Sequence, residues 1–252
     1  MLEGLNKVDW ESVRHSNGPA ADVPKLLLDL LSKDRKAQSR AIHDLFGTIW
    51  YHGRVYEATA PVVPFLYEIL ENPACFERFS IVWLLGAIAN RGSYSLAHNS
   101  ENKNEEEKEM LWAKNAHGAV RQGVKTILGL LDDKDKDLRL PVILLLAALP
   151  EEAEQIKPAL LSVLAAEENN EARAGLGLAL ALLGDFHLEA FQRENTKLPL
   201  VLMETLARAC IQDEGMRVSA YQTIEACFLA TMEKKDQDWL MDEKTLLNPN
   251  LN

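Results

Sequence analysis

Six histidines, His15, His43, His52, His98, His117 and His187, are the side chains of this 252-residue chain best suited to ligating a metal or moving a proton. Their spacing supports neither task. No pair stands as His-Glu-x-x-His, and no Cys/His cluster has the short ligand intervals of a zinc site. No Gly-x-Ser-x-Gly turn presents a serine nucleophile. Gly175-x-Gly177 echoes a dinucleotide fingerprint, but it lies inside an apolar helical stretch with no strand before it. Small residues there let neighbouring helices approach. The pairs Glu151-Glu152 and Glu167-Glu168 fall at helix ends, where carboxylates serve as solvated caps. The sequence therefore predicts no catalytic residue, no metal site and no cofactor.

What remains is a local constellation, Tyr51-His52-Gly53 followed by Tyr56-Glu57. Gly53 is expected to take a positive φ at the close of a helix, with His52 meeting exposed carbonyls there. Alternatively His52, Tyr56 and Glu57 stand on an exposed inter-repeat loop and contact a partner. Ten of the chain's seventeen aromatic side chains lie between residues 46 and 94, under a fifth of its length. Some must fill a core, yet Tyr and Trp also supply large rigid contact area at protein interfaces. The candidate partner-binding residues are therefore Trp50, Tyr51, His52, Tyr56, Glu57, Trp83 and, on a later helix, Trp112.

The elements that position these residues emerge from an internal repeat. Five stretches share an apolar helix, a short polar turn and a second apolar helix opening near an arginine. Those arginines are Arg40, Arg78, Arg139, Arg173 and Arg217, and a polar insertion accounts for the one long interval, from Arg78 to Arg139. The first helices align as Val23-Pro24, Val63-Pro64, Val124-Lys125, Ile156-Lys157-Pro158 and Leu198-Pro199. Proline suits a first turn, where its missing N–H is harmless. Asp34, Asn72, Asp135, Asp137 and Asn170 precede second helices as candidate caps. The arginines are expected to bond to neighbouring acids or helix ends, forming an intramolecular ladder rather than a basic groove. No segment shows sustained period-two alternation, so no strand is expected.

A single hairpin cannot bury its apolar face, so successive hairpins are expected to stack into one all-α, right-handed solenoid domain spanning residues 1–252. Residues 1–20 and 231–252 are read as caps, and residues 91–108 as a polar loop before a helix beginning near Glu105. The pattern Asp-x-x-x-x-x-Arg, an Ala/Leu-rich helix and a closing glycine, as at Gly86 and Gly184, resembles HEAT repeats over about residues 22–230. The segment Trp50-Tyr51-His52-Gly53-Arg54-Val55-Tyr56-Glu57-Ala58-Thr59-Ala60-Pro61-Val62-Val63-Pro64-Phe65-Leu66 is similar to one in a group of bacterial HEAT-repeat proteins. Small HEAT-repeat proteins occur as immunity partners of bacterial toxins, so the resemblance implies protein binding and brings no catalytic motif. HEAT-like DNA glycosylases imply an alternative, with Asp44 beside Trp50 and Trp83 as the nearest match to their carboxylate and aromatic company. HEAT-like bilin lyases have shorter, more regular units. A general assembly scaffold is the remaining alternative.

Composition narrows these classes. Lys and Arg number 27 against 38 Asp and Glu, a net charge of −11. That balance opposes binding to a nucleic-acid backbone or an anionic membrane, both of which attract Lys and Arg. It favours a basic protein partner, a toxin that attacks nucleic acid being one such protein. The longest uncharged apolar runs, Leu140 to Pro150 and Ala174 to Gly184, fall well short of the ~20 residues a membrane span needs. Cys75, Cys210 and Cys227 form no CxxC pair and are expected to be reduced core residues. With no secretory signal pattern at Met1 to Lys7, the expectation is a cytoplasmic monomer.

Overall fold

Val23-Pro24 opens the first helix of the computed structural model, which describes residues 2–51, 53–90, 103–168, 170–185, 187 and 190. The described chain is mostly helical. It divides into two compact units, residues 1–126 and 127–252. In the first unit α1 (Val23–Asp29) and α2 (Arg35–Ile49) form one antiparallel pair, and α3 (Thr59–Leu70) and α4 (Arg78–Ala89) a second. First helix lies on first helix and second on second, α1 against α3 and α2 against α4. Helix α5 (Lys103–Gln122) then packs on both α3 and α4. A turn at Gly123 separates it from α6 (Val124–Gly129), a short helix at the place expected for the third first-helix. The loop expected over 91–108 is already helical from Lys103; its earlier residues lie outside the described ones.

In the second unit α7 (Arg139–Ala147) and α9 (Asn170–Leu182) pack together, and α8 (Ala153–Ala166) pairs with α9. Gly184, with φ 80°, closes α9 as expected, since Asp185 N–H donates to Leu180 and Gly184 N–H to Ala181. Gly86 closes nothing: it is buried inside α4, which runs on to Ala89. The fifth pair, with Arg217, and the C-terminal cap 231–252 lie outside the described residues, as do Cys210 and Cys227.

Two prolines depart from first-turn positions. Pro64 and Pro158 each stand sixth in their helices, where they remove an internal hydrogen bond. Two short antiparallel hairpins also appear where no strand was expected. They join β1 (Arg14–His15) to β2 (Gly18–Pro19) and β3 (Trp50–Tyr51) to β4 (Arg54–Val55). Within residues 2–20 the apolar Leu2, Leu5 and Trp10 are buried, and the Trp10 ring meets Phe65 of α3 at 6.1 Å.

Polar side chains brace the turns and, at two places, tie one turn to the next. Arg78 Nε donates to Leu70, the last carbonyl of α3, at 3.0 Å. Arg173 donates to Leu164 at 2.7 Å and Glu167 at 2.9 Å at the end of α8, while Arg139 meets the Glu167 carboxylate at 2.7 Å. Arg40 does otherwise, reaching only Lys36 O within its own helix. Its place is filled by the buried Gln38, which donates to Ser32 at 2.6 Å and accepts from the Phe76 amide at 2.8 Å. Asp34 caps α2 through the Lys36 amide, whereas Asn72 and Asp135 bond within the turns that precede α4 and α7.

Close packing of α3 on the end of α5 sets the first expected outcome. A methyl group on Gly123 would stand 2.2 Å from the Tyr67 ring, whereas one on Gly118, inside α5, meets nothing within 4 Å. Urea denaturation should show Gly123→Ala losing about 1–3 kcal/mol. Gly118→Ala should gain about 0.5–1 kcal/mol from helix propensity alone.

Candidate functional site

Helix α2 ends where the candidate constellation begins. Its Gly47 carbonyl accepts from Ser16 Oγ at 2.8 Å and its Thr48 carbonyl from the Ser16 amide at 3.0 Å. Ile49 O accepts from the buried Thr59 Oγ1 at 2.5 Å, and that oxygen in turn accepts from the Tyr56 amide at 2.8 Å. Both hairpins are thus fastened to one helix terminus. In the second hairpin Gly53 has φ 76°, so the positive φ expected there serves a two-residue strand turn and not a helix close. His52 lies outside the described residues. At another helix end, buried His117 places Nδ1 2.7 Å from Ala89 O at the end of α4. That bond places the Nδ1 hydrogen on the ring, since a carbonyl can only accept.

The structure divides the expected contact residues. Trp50 and Trp83 are each only 9% exposed. They pack edge to face at 6.0 Å and both meet Phe46, at 6.0 and 5.3 Å. Their aromatic mass fills the α2–α4 core, which corrects the expectation that they stand out as contact anchors. Trp50 Nε1 is buried without an acceptor among the described residues. Asp44 is also separated from them: it is exposed on α2, while Phe46, two residues on and so across the helix, carries the tryptophan contacts.

Tyr51 is 41% exposed, Glu57 is exposed, and Tyr56 and Trp112 are half-buried. Strand β4 rests on α5, where Arg54 reaches Glu109 at 3.7 Å; Trp112 follows Glu109 by three residues, about one helical turn. The hairpin and α5 therefore present Tyr51, Arg54, Tyr56 and Glu109 on a shared surface. Burial holds the Tyr56 phenol above its ordinary range; Arg54 draws it down, while Glu109 and Tyr51 push it up. Sequence reasoning missed Arg54 and Glu109, and also Met110 and Leu111, exposed apolar side chains of α5.

A second feature opens beside the first hairpin: a cleft of about 230 Å³ lined by Asn17, Asp22, Leu26, His43, Asp44, Gly47 and Thr48. Among the described residues no three His, Cys, Asp or Glu side chains are placed to hold a metal ion. No described helix is long and apolar enough to cross a membrane. Charge is unevenly divided: residues 1–126 carry 15 basic and 16 acidic side chains, and residues 127–252 carry 12 and 22. The acidity thus belongs almost wholly to the second unit, net −10 against −1. No protein-family model matches the chain, and no curated protein or solved structure gives a significant match.

The tyrosines that support the shared surface give a pH signature. Burial drives the Tyr67 phenol well above its usual range, and its hydroxyl donates to Val120 O at 2.7 Å across α3 and α5. In the unfolded chain tyrosines ionise near pH 10. The stability that Tyr56 and Tyr67 contribute through their raised values is therefore complete below about pH 10 and lost as pH climbs towards the folded values. Urea unfolding between pH 8 and 11 should show that loss, and Tyr67→Phe should flatten it. At neutral pH the same substitution should lower stability by about 0.5–1.5 kcal/mol.

Proposed function

We propose that the chain is a non-catalytic binding protein, a right-handed α-solenoid of about five HEAT-like hairpins that acts as a cytoplasmic monomer. Its partner is a basic protein, and the role that fits best is immunity, neutralising a basic bacterial toxin by gripping it. The observation that carries the binding reading is the β3–β4 hairpin. It presents Tyr51 and Arg54 outward while Thr59 and Val55 are buried at its base. A contact element fixed in this way loses little freedom on association, which leaves more of the interaction energy as affinity.

The net charge of −11 supports the basic partner. A field of that sign raises the encounter rate with a cation-rich surface, by about 10 to 1,000-fold where it is strongly focused. The bonds from the Phe76 amide to Gln38 and from Arg139 to Glu167 support stacked hairpins, because each joins one turn to the next, while Arg78 and Arg173 brace the turn within their own hairpins. Asp44 lacks the aromatic company that a glycosylase reading requires.

Affinity capture of the tagged chain from its native cytoplasm, eluted in salt steps, tests this reading. One stoichiometric basic protein should leave as salt rises, and its expression alone should arrest growth unless this chain is co-expressed. Tyr51→Ala should weaken the complex about 10-fold or more. An acidic or uncharged partner insensitive to salt would remove the electrostatic argument. Several stable partners at once would favour a scaffold, and base release from alkylated DNA lost in Asp44→Asn would favour an enzyme.

A further inference from the structure

The cleft beside the first hairpin carries two carboxylates that the fold does not use for helix stability. Asp22 occupies the cap position of α1 yet its side chain makes no capping bond. Its Oδ1 faces His15 Nε2 at 2.8 Å. Because His15 Nδ1 accepts the Asn17 amide at 3.0 Å, the ring hydrogen sits on Nε2 and is donated to Asp22. His15 thereby holds Asp22 by one oxygen and leaves the other side of the carboxylate open. Asp44 has only His43 nearby, at 3.5 Å.

Neither carboxylate meets a lysine or arginine among the described residues. Lys25, on the same helix as Leu26, pairs with Asp29 at 2.6 Å, and Arg40, one turn before Asp44, bonds to Lys36 O. The side chains of Asp22 and Asp44 are 55% and 57% exposed, so solvent or a ligand reaches both. Leu26 supplies an apolar wall and Asn17 a further polar lining group. The volume, about 230 Å³, falls below the roughly 300–1,000 Å³ of pockets for drug-sized ligands. A recess of that size, with an apolar wall and two uncompensated carboxylates, fits one long cationic side chain.

We propose that this cleft receives a single arginine side chain of the basic partner, and this rests on the binding reading above. The methylene stem lies against Leu26, and the guanidinium lies between Asp22 and Asp44. Arginine is favoured over lysine because its planar group offers five N–H donors in a fixed fork, which can serve acceptors on two walls at once.

The test titrates Nα-acetyl-arginine amide into the full chain at low ionic strength, with the uncharged isostere Nα-acetyl-citrulline amide as control. NMR follows the amides of Asn17, Gly47 and Thr48 and the His43 ring. Saturable shifts confined to the cleft are expected with arginine and not with citrulline. Asp44→Asn should weaken binding about 3- to 5-fold, the scale of one exposed ion pair, and Asp22→Asn with Asp44→Asn together should abolish it. Asparagine at position 22 still accepts from His15, so unchanged amide positions outside the cleft will confirm an intact fold. Equal shifts with citrulline, shifts spread along the acidic turn from Asp132 to Asp137, or undiminished binding in the double variant would overturn the proposal. A captured basic partner with a silent cleft defeats the cleft alone. A responsive cleft with no protein partner defeats the broader binding reading and leaves a guanidinium site.

Discussion

The last carbonyls of an α-helix have no partner within the helix, and burying them unpaired is costly. How this chain meets that constraint at the end of α2 determines most of what it displays. Ser16 answers Gly47 and Thr48 with its hydroxyl and its amide, and Thr59 answers Ile49. Ser16 sits in the turn of the first hairpin, and Thr59 begins the helix that follows the second. Satisfying one helix terminus therefore fixes two hairpins, the cleft beside one and the tyrosine-bearing surface of the other. The Phe46, Trp50 and Trp83 cluster lies just behind this junction and gives it a rigid backing.

The same demand recurs along the chain with different chemistry. Arg78 closes α3, Arg173 closes α8, His117 meets the end of α4, and Gln38 reaches the Ser32 carbonyl just beyond α1. Glu167 gathers two of these ties, its carboxylate held by Arg139 and its carbonyl by Arg173. Arginine suits such a position because its fork can bond several carbonyls and stay charged. Glutamine does the same without charge and can also accept, which is why Gln38 receives the Phe76 amide from the next turn. The repeat therefore conserves a geometric task, and the residue type that performs it varies.

That variation marks the limit of what the sequence discloses. Helix existence was legible because apolar periodicity is dense in α2, α4, α7 and α9, and Gly184 signalled a true stop. The arginine alignment was legible where arginine does the tying and misleading at Arg40, because Gln38 carries no pattern that a single sequence can flag. The two hairpins were invisible for a simple reason: strands of two residues are too short to show alternation. Without the hairpin, Gly53 could be assigned a positive φ but not its purpose. Aromatic density between residues 46 and 94 identified a region but could not separate exposed Tyr51 from buried Trp50, its immediate neighbour, since opposite faces of a strand alternate residue by residue. Asp22 and Asp44, 22 residues apart, could not be placed in one cleft before α1 and α2 were paired.

On the proposed binding reading, charge and contact surface are carried by different parts of the chain, which bears on how recognition would be divided. Residues 1–126 are nearly neutral, with cations and anions interspersed around the hairpin, as in the Arg54–Glu109 contact. Residues 127–252 hold the acidic excess, and in the described part much of it lies at turns and short 3-10 segments, at Asp132 to Asp137, Glu151 to Glu152 and Glu168. Exposed turn carboxylates act over about a Debye length and are screened by salt, so they govern encounter. Tyrosines on a fastened hairpin act only in contact, so they govern how long a complex persists. A binding protein built in this way can change partner preference at the hairpin while keeping its long-range attraction for any basic protein. Under that proposal selectivity comes from short-range features such as the orientation of Tyr51 and the two carboxylates that line the cleft, because a diffuse negative field does not distinguish one cationic surface from another.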